Sequence, residues 1–507
     1  MSLSDSVGAV VSVFRNRPGD LLPLYLLGAA IPAIVRVAPF AAAVVAYLYL
    51  ETTGRLEELP AQLAEIDTTP PDSDASEEAF EAWLSQFDPI VEQLVTPTTV
   101  LLFVSAFLAS LLVLVILYVV LSAGQLATCD ARLRDERGLT AGIAGVRRYS
   151  LRFFALAVFE FVLWMLVLFT IGGAAIFVAI FLTFASPVLS LLVLLFAIPV
   201  VAIVLAVIRA VFAFAPVSVV VDDAGVFGSL SKTLGFIRAR PIDAGFYYVM
   251  SIGTTMALMT VSGVLFLVDV TTVPSLVSVL LLLPAFDLLK TALYSNYRDR
   301  LRPPSSPERR LRTQFRDGLR RGWSEMTSYV RRTPGTHALV IVLALGSFWV
   351  GWRLADPYAA IIDTSIAARL EGHIPPTTAL EFFGNNWLVA ITTAYAGVAL
   401  VVPALASLLF NGVYMGVIAR LEVEPIELLA FVIPHGIFEI PAIFIASALG
   451  LSLGAVSWRA FRGRIDRTAF ADSLERAFWV LVGIGILLAV AAVIEGFVSP
   501  YYYRLFL

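Results

Sequence analysis

The chain is poor in the residues that most enzymes use for chemistry. Its 507 residues include one cysteine, three histidines and only two lysines, Lys232 and Lys290. A single cysteine excludes an internal disulfide and any cysteine-based metal site. Cys129 lies beside an apolar stretch and reads as a small apolar filler. Charged residues make up only 15% of the chain. No Walker loop, dinucleotide fingerprint, zincin motif or nucleophile elbow is present. No catalytic residue, cofactor or metal is therefore expected. Residues 1–20 lack the short apolar core and small-residue cleavage site of a signal peptide, so the first apolar span is expected to drive insertion.

What the chain has instead is apolar mass. Hydrophobic residues account for 59% of it, and the mean hydropathy is +0.87. A water-soluble domain has too much surface per residue to hide that fraction. Long runs of 18 or more apolar residues read as bilayer-crossing helices. The candidates are about 21–50, 98–122, 153–182, 187–216, 244–269, 273–295, 336–354, 386–420, 428–455 and 474–498. The expected fold class is all-α: a polytopic helical membrane protein of about ten apolar segments, one of them a candidate re-entrant hairpin.

Charge orients these segments. Segment 51–97 holds twelve Asp or Glu and one Arg, Arg55; segment 295–335 holds eleven Arg against four acids. Arginine stays on the cytoplasmic side. The N-terminus is thus expected inside, 51–97 outside, and 123–152 and 295–335 inside. Phe80, Trp83, Phe87 and Ile90 share one helical face in the acidic segment, which predicts a helical exterior cap. The excess of Arg over Lys fits a GC-rich genome; with the acidic cap it suggests a salt-adapted archaeon.

An Arg-rich element recurs before spans: Val13–Pro18, Gly145–Arg148, Phe236–Pro241 and Tyr329–Pro334. Each follows a stretch that can form an amphipathic helix lying in the cytosolic interface, its arginines against anionic headgroups. Pro303, Pro304 and Pro307 mark a polar linker over 296–313. It divides a six-span N-terminal domain, 1–295, from a C-terminal domain, 314–507. The expected partners are the lipid bilayer, anionic lipids at the Arg clusters, and membrane or envelope proteins, with an oligomer a further option. The Arg-rich linker lies beside the membrane, so lipid contact takes precedence over nucleic acid.

The candidate polar site is Asn385, Asn386, Asn411, Gly412, Pro434, His435, Gly436, Glu439 and Pro441. Here polar groups and helix breakers sit in apolar surroundings. His435 and Glu439 are four residues apart and share a helical face. A lone carboxylate among apolar neighbours costs roughly 2.5–3.5 kcal/mol to insert. The pair reads as a structural clasp, a proton- or substrate-handling site, or a metal site for intramembrane hydrolysis. A catalytic zinc generally needs three protein ligands, and the other histidines, His337 and His373, fall near span ends. Arg36, Glu160 and Arg209 are further intramembrane charges expected to pair. Asp287 and Lys290, three residues apart, read as an interfacial ion pair. Segment 386–420 would extend about 52 Å as one helix. Either it tilts, and 428–455 re-enters the face it left, or it breaks near Pro403 or Asn411-Gly412, and 428–455 crosses once. Both options bring the last span from inside to outside, with Tyr501, Tyr502 and Tyr503 at the outer interface.

The run Pro434-His435-Gly436-Ile437-Phe438-Glu439-Ile440-Pro441-Ala442, with Asn385-Asn386 and Asn411-Gly412, resembles the stage II sporulation protein M family over about 320–507. The resemblance implies a membrane scaffold of an envelope-remodelling complex, which in spore formers supports peptidoglycan hydrolases during engulfment. Residues Phe214–Asp222, Gly225, Ser229-Leu230 and the helix to Arg238 resemble the six-span membrane domains found beside glycerophosphodiester phosphodiesterases. The function expected is a non-enzymatic scaffold in envelope organisation or complex assembly; a transporter, channel or lipid-moving protein is the alternative. The predicted sidedness has a direct check. In a Cys129→Ala background, Ser76→Cys should react with an impermeant maleimide on intact cells, and Ser305→Cys only after permeabilisation.

Overall fold

A computed structural model describes residues 2–67, 71, 76–502 and 504; Tyr503 and most of the polar stretch 68–75 lie outside the described residues. The described residues are helical throughout, with one isolated bridge between Thr364 and Glu422. A surface helix α1 (Leu3–Asn16) leads to α2 (Pro23–Val35) and α3 (Val37–Thr52), which form the first span. Short helices α4 (Leu59–Glu65), α5 (Glu77–Ser85) and α6 (Asp88–Leu94) make the acidic cap. Trp83 packs at 5.5 Å on Phe80 and 5.2 Å on Phe87, as the helical spacing predicts.

Four long elements follow: α7 (Pro97–Arg132), α8 (Gly138–Val167), α9 (Gly173–Thr183) and α10 (Pro187–Asp222). A π-helical turn at Leu168–Gly172 joins α8 to α9. Surface helix α11 (Val226–Ala239) precedes α12 (Pro241–Phe266), then α13 (Val273–Val277) and α14 (Leu283–Tyr297). After the linker come α15 (Leu311–Arg332), α16 (Pro334–Ala355), α17 (Ile366–Arg369), α18 (Pro375–Ala396), α19 (Val402–Leu421), α20 (Pro425–Phe461), α21 (Arg467–Phe497) and α22 (Ser499–Tyr502). Ten elements among the described residues are long and apolar enough to cross a membrane. Their outer faces show it: Phe184 is 89% exposed and Phe196 74%, which water would not tolerate across so wide a band.

Three of the four Arg-rich elements end a surface helix at a proline break, at Pro18, Pro241 and Pro334. The second, Gly145–Arg148, carries no proline and runs uninterrupted within α8. Proline rather than arginine sets the break.

The segment 386–420 is two helices. They part at Gly397–Val401, where Leu400 and Val401 adopt φ of 63° and 75°. Left-handed backbone at a β-branched residue is strained. The strain is held because Val401 packs directly on Gly454 of α20. With that break in place no re-entrant hairpin forms. Segment 428–455 lies within the single 37-residue helix α20, with Pro434 and Pro441 inside it. Pro434 is half-buried and Pro441 exposed; proline is tolerated in a membrane helix where neighbours and local adjustment re-satisfy the backbone.

Helices of the C-terminal part meet through small residues. Gly412 and Gly416 of α19 lie against Ser347 and the Phe348 carbonyl of α16, and Gly450 and Gly454 of α20 lie against α18 and its turn. Close backbone approach is how helices associate in lipid. One core runs across the linker: Leu26 and Ile31 of α2 share it with Tyr395 of α18, Leu449 of α20 and Ile484 of α21. Glu381 of α18 accepts hydrogen bonds from the Thr271 and Thr272 amides at 2.8 and 3.0 Å, capping α13. At the opposite end Arg137 pairs with Asp472, and Arg321 lies 3.4 Å from Glu475 and over the Trp479 ring.

A side chain at Gly416 would meet the Phe348 carbonyl at 2.0 Å. Gly416→Leu should therefore cost at least the about 3 kcal/mol at the upper end of overpacking, read as a lowered melting temperature in detergent. Gly335→Ala, which meets nothing within 4 Å, should be near neutral.

Candidate functional site

Of the intramembrane charges expected to pair, Glu160 and Arg209 do so and, among the described residues, Arg36 does not. Arg209 of α10 donates to both Glu160 oxygens of α8, at 3.1 and 3.2 Å. Lys290 lies 2.7 Å from Asp287, which also accepts the Tyr25 hydroxyl at 3.0 Å. Arg36 sits exposed at the junction of α2 and α3, without an ion pair among the described residues. Just beyond α10, hydrogen bonds from Arg148 and Arg152 hold the Asp223 carboxyl below its ordinary range. Cys129 is buried, 3.2 Å from the Tyr25 hydroxyl.

The nine candidate polar residues do not form one site. Asn385 and Asn386 lie on α18 and bond to each other at 3.3 Å. Asn411 and Gly412 belong to α19, and Gly412 marks its seam with α16. Pro434, Gly436 and Pro441 shape α20. His435 and Glu439 meet, and they meet as part of a larger group. His435 Nε2 lies 4.0 Å from Glu439 Oε2 and 3.8 Å from Glu495 Oε1. Its Nδ1 lies 3.0 Å from Ser499 Oγ, and its ring stacks edge-on against Phe431 at 5.3 Å. One ligand atom from each of His435, Glu439 and Glu495 lies within 4.8 Å of the other two. Oε2 of both glutamates is buried without a hydrogen bond.

Glu495 was legible in principle. It is the lone acid in the apolar run 477–498, the same signal that exposes Glu439. Nothing local, however, links positions 435 and 495. Helix α21 runs antiparallel to α20 and brings them together. His337 and His373 stay apart, near helix ends, as expected: His337 Nδ1 lies 2.7 Å from the Thr333 carbonyl oxygen, and His373 Nε2 2.8 Å from that of Gly496.

Depth follows from helix rise. His435 precedes Arg459 by 24 positions on one helix, which is about 36 Å and exceeds the roughly 30 Å hydrocarbon thickness. Glu495 lies two residues from the end of α21. The cluster thus sits at the end of the bundle opposite the Arg-rich loop 456–470, and not at mid-depth. Two apolar cavities are lined elsewhere. One, of about 470 Å³, lies between α9 and α10; the other, of about 1070 Å³, lies among α1, α15, α18 and α21.

Residues 338–500 match the family model of Stage II sporulation protein M. That stretch contains α18 to α21 and every member of the cluster. No curated protein and no solved structure matches the chain. The likeness of the N-terminal part to glycerophosphodiesterase-type membrane domains finds no support in these comparisons. Ser499 is the hydrogen-bond partner of a buried ring nitrogen. Ser499→Ala should lower stability by about 1–3 kcal/mol, seen as a reduced melting temperature at unchanged helicity.

Proposed function

Starting from the family match over 338–500, we propose that this chain is an integral-membrane scaffold that organises envelope proteins or assembles a membrane complex, without catalysis of its own. The observation that supports this reading is the closure of its most unusual polar group. His435 and Glu495 are 5% and 8% exposed, and neither they nor Glu439 line either cavity described above. A carrier or pore needs its polar groups along a hydrated path. A closed cluster that joins helix ends instead stiffens a platform. The Arg-rich loops favour a cytoplasmic N-terminus and an exterior C-terminus. In that orientation α15 and the linker press arginines on anionic headgroups, and the acidic cap and the segment 356–374 face the envelope.

Cross-linking of the full chain in its native membrane, followed by purification and mass spectrometry, tests the reading. A membrane or envelope protein retained in stoichiometric amount is the expected result. Capture of no partner overturns it. So does flux of ions, lipids or small solutes in proteoliposomes that Glu439→Gln abolishes, which would make the chain a transporter.

A further inference from the structure

The His435 cluster is built from three metal-ligating side chains on two helices, and the fold leaves it internally unbalanced. Its two carboxylates approach the same imidazole nitrogen, at 4.0 and 3.8 Å. Among the described residues His435 is the sole ion-pair partner of either. No arginine or lysine compensates them. Each Glu Oε2 is buried and without a hydrogen bond. Burying such groups costs several kcal/mol each unless a charge or donor satisfies them. A proton or a cation at the centre relieves that cost.

The donor set and spacing specify what fits. Bonds of 2.0–2.2 Å from a tetrahedral ion to N and O ligands give ligand–ligand edges of about 3.4 Å. The two His–Glu separations exceed that by about half an ångström, and the Glu–Glu edge lies within 4.8 Å, movements within the reach of glutamate side chains. The ring is already oriented, because Ser499 holds Nδ1 and leaves Nε2 facing the carboxylates. Such a partner on the distal nitrogen is the usual support of a metal-bound histidine. One imidazole and two carboxylates suit zinc-type divalent ions; magnesium and calcium take more oxygens in larger shells.

We propose that His435 Nε2, Glu439 and Glu495 hold a zinc-type divalent cation that rivets α20 to the end of α21. The ion replaces carboxylate repulsion by two attractions and joins the two helices; with three protein ligands, water completes its coordination. The proposal stands whether or not the chain proves to be a scaffold, since its test reads binding and not partners.

The full chain, purified in detergent, is incubated with Zn²⁺, passed through gel filtration and analysed for metal. About one zinc per chain is expected in the wild type, and less than a tenth of that in Glu495→Gln and Glu439→Gln. His373→Ala should keep the full amount. Zn²⁺ should raise the melting temperature of the wild type by several degrees and leave the two glutamate variants unmoved; Mg²⁺ should do neither. If the variants aggregate, the Co²⁺-loaded wild type decides. A visible band of a four- or five-coordinate site with N and O donors supports the proposal. Absence of zinc from the wild type, wild-type stoichiometry in folded variants, or the weak spectrum of six-coordinate aqueous cobalt overturns it.

Discussion

Lipid offers no hydrogen bonds and almost no charge compensation, so a polar group carried into the membrane is cheapest where the chain itself supplies its partner. That constraint makes the fold helical and governs where each charge goes. Asp20, 2% exposed, accepts the Gly138 and Leu139 amides at 2.7 and 2.9 Å while Arg132 approaches to 3.8 Å. Arg209 reaches across to Glu160. Glu381 caps a neighbouring helix. These contacts fasten the turns and helix ends on which the apolar seams depend.

The seams themselves cannot rely on the hydrophobic effect, because lipid chains are as apolar as leucine. They rely on shape. Glycine in α19 and α20 lets backbones touch, and larger side chains then interlock around the contact. The two stretches of sequence on either side of the linker at 296–313 share one core and each keeps another of its own. Arg137 and Arg321 at one end, and Glu381 at the other, tie the halves together by charge where apolar contact gives way to interface.

Much of this was readable from sequence for a physical reason. Spans announce themselves by composition over some twenty residues, and loops by arginine or acid content, so six N-terminal spans and the surface helices before Pro241 and Pro334 were expected. Local spacing likewise foretold the Asp287–Lys290 pair and the Phe80–Trp83–Phe87 face. What escaped was non-local or too weakly apolar. Helix α18 falls outside the ten apolar elements, since Asn385, Asn386 and several threonines dilute it, so its apolar half runs on into α19 as the single segment 386–420, whose break the sequence leaves as one of two options. Glu495 lies 60 positions from His435, and only antiparallel packing joins them. Pro434 and Pro441 signalled a break that the 37-residue helix absorbs, because proline removes a donor without by itself ending a long helix.

The turn at Leu400-Val401 bears on how the bundle assembles. Its left-handed backbone is unfavourable alone, α18 is a poor membrane segment alone, and the glycine that accepts Val401 belongs to a helix synthesised later. The α18–α19 hairpin is therefore a conditional element. Its turn takes this geometry with Gly454 of α20 against it, so the hairpin and α20 depend on one another.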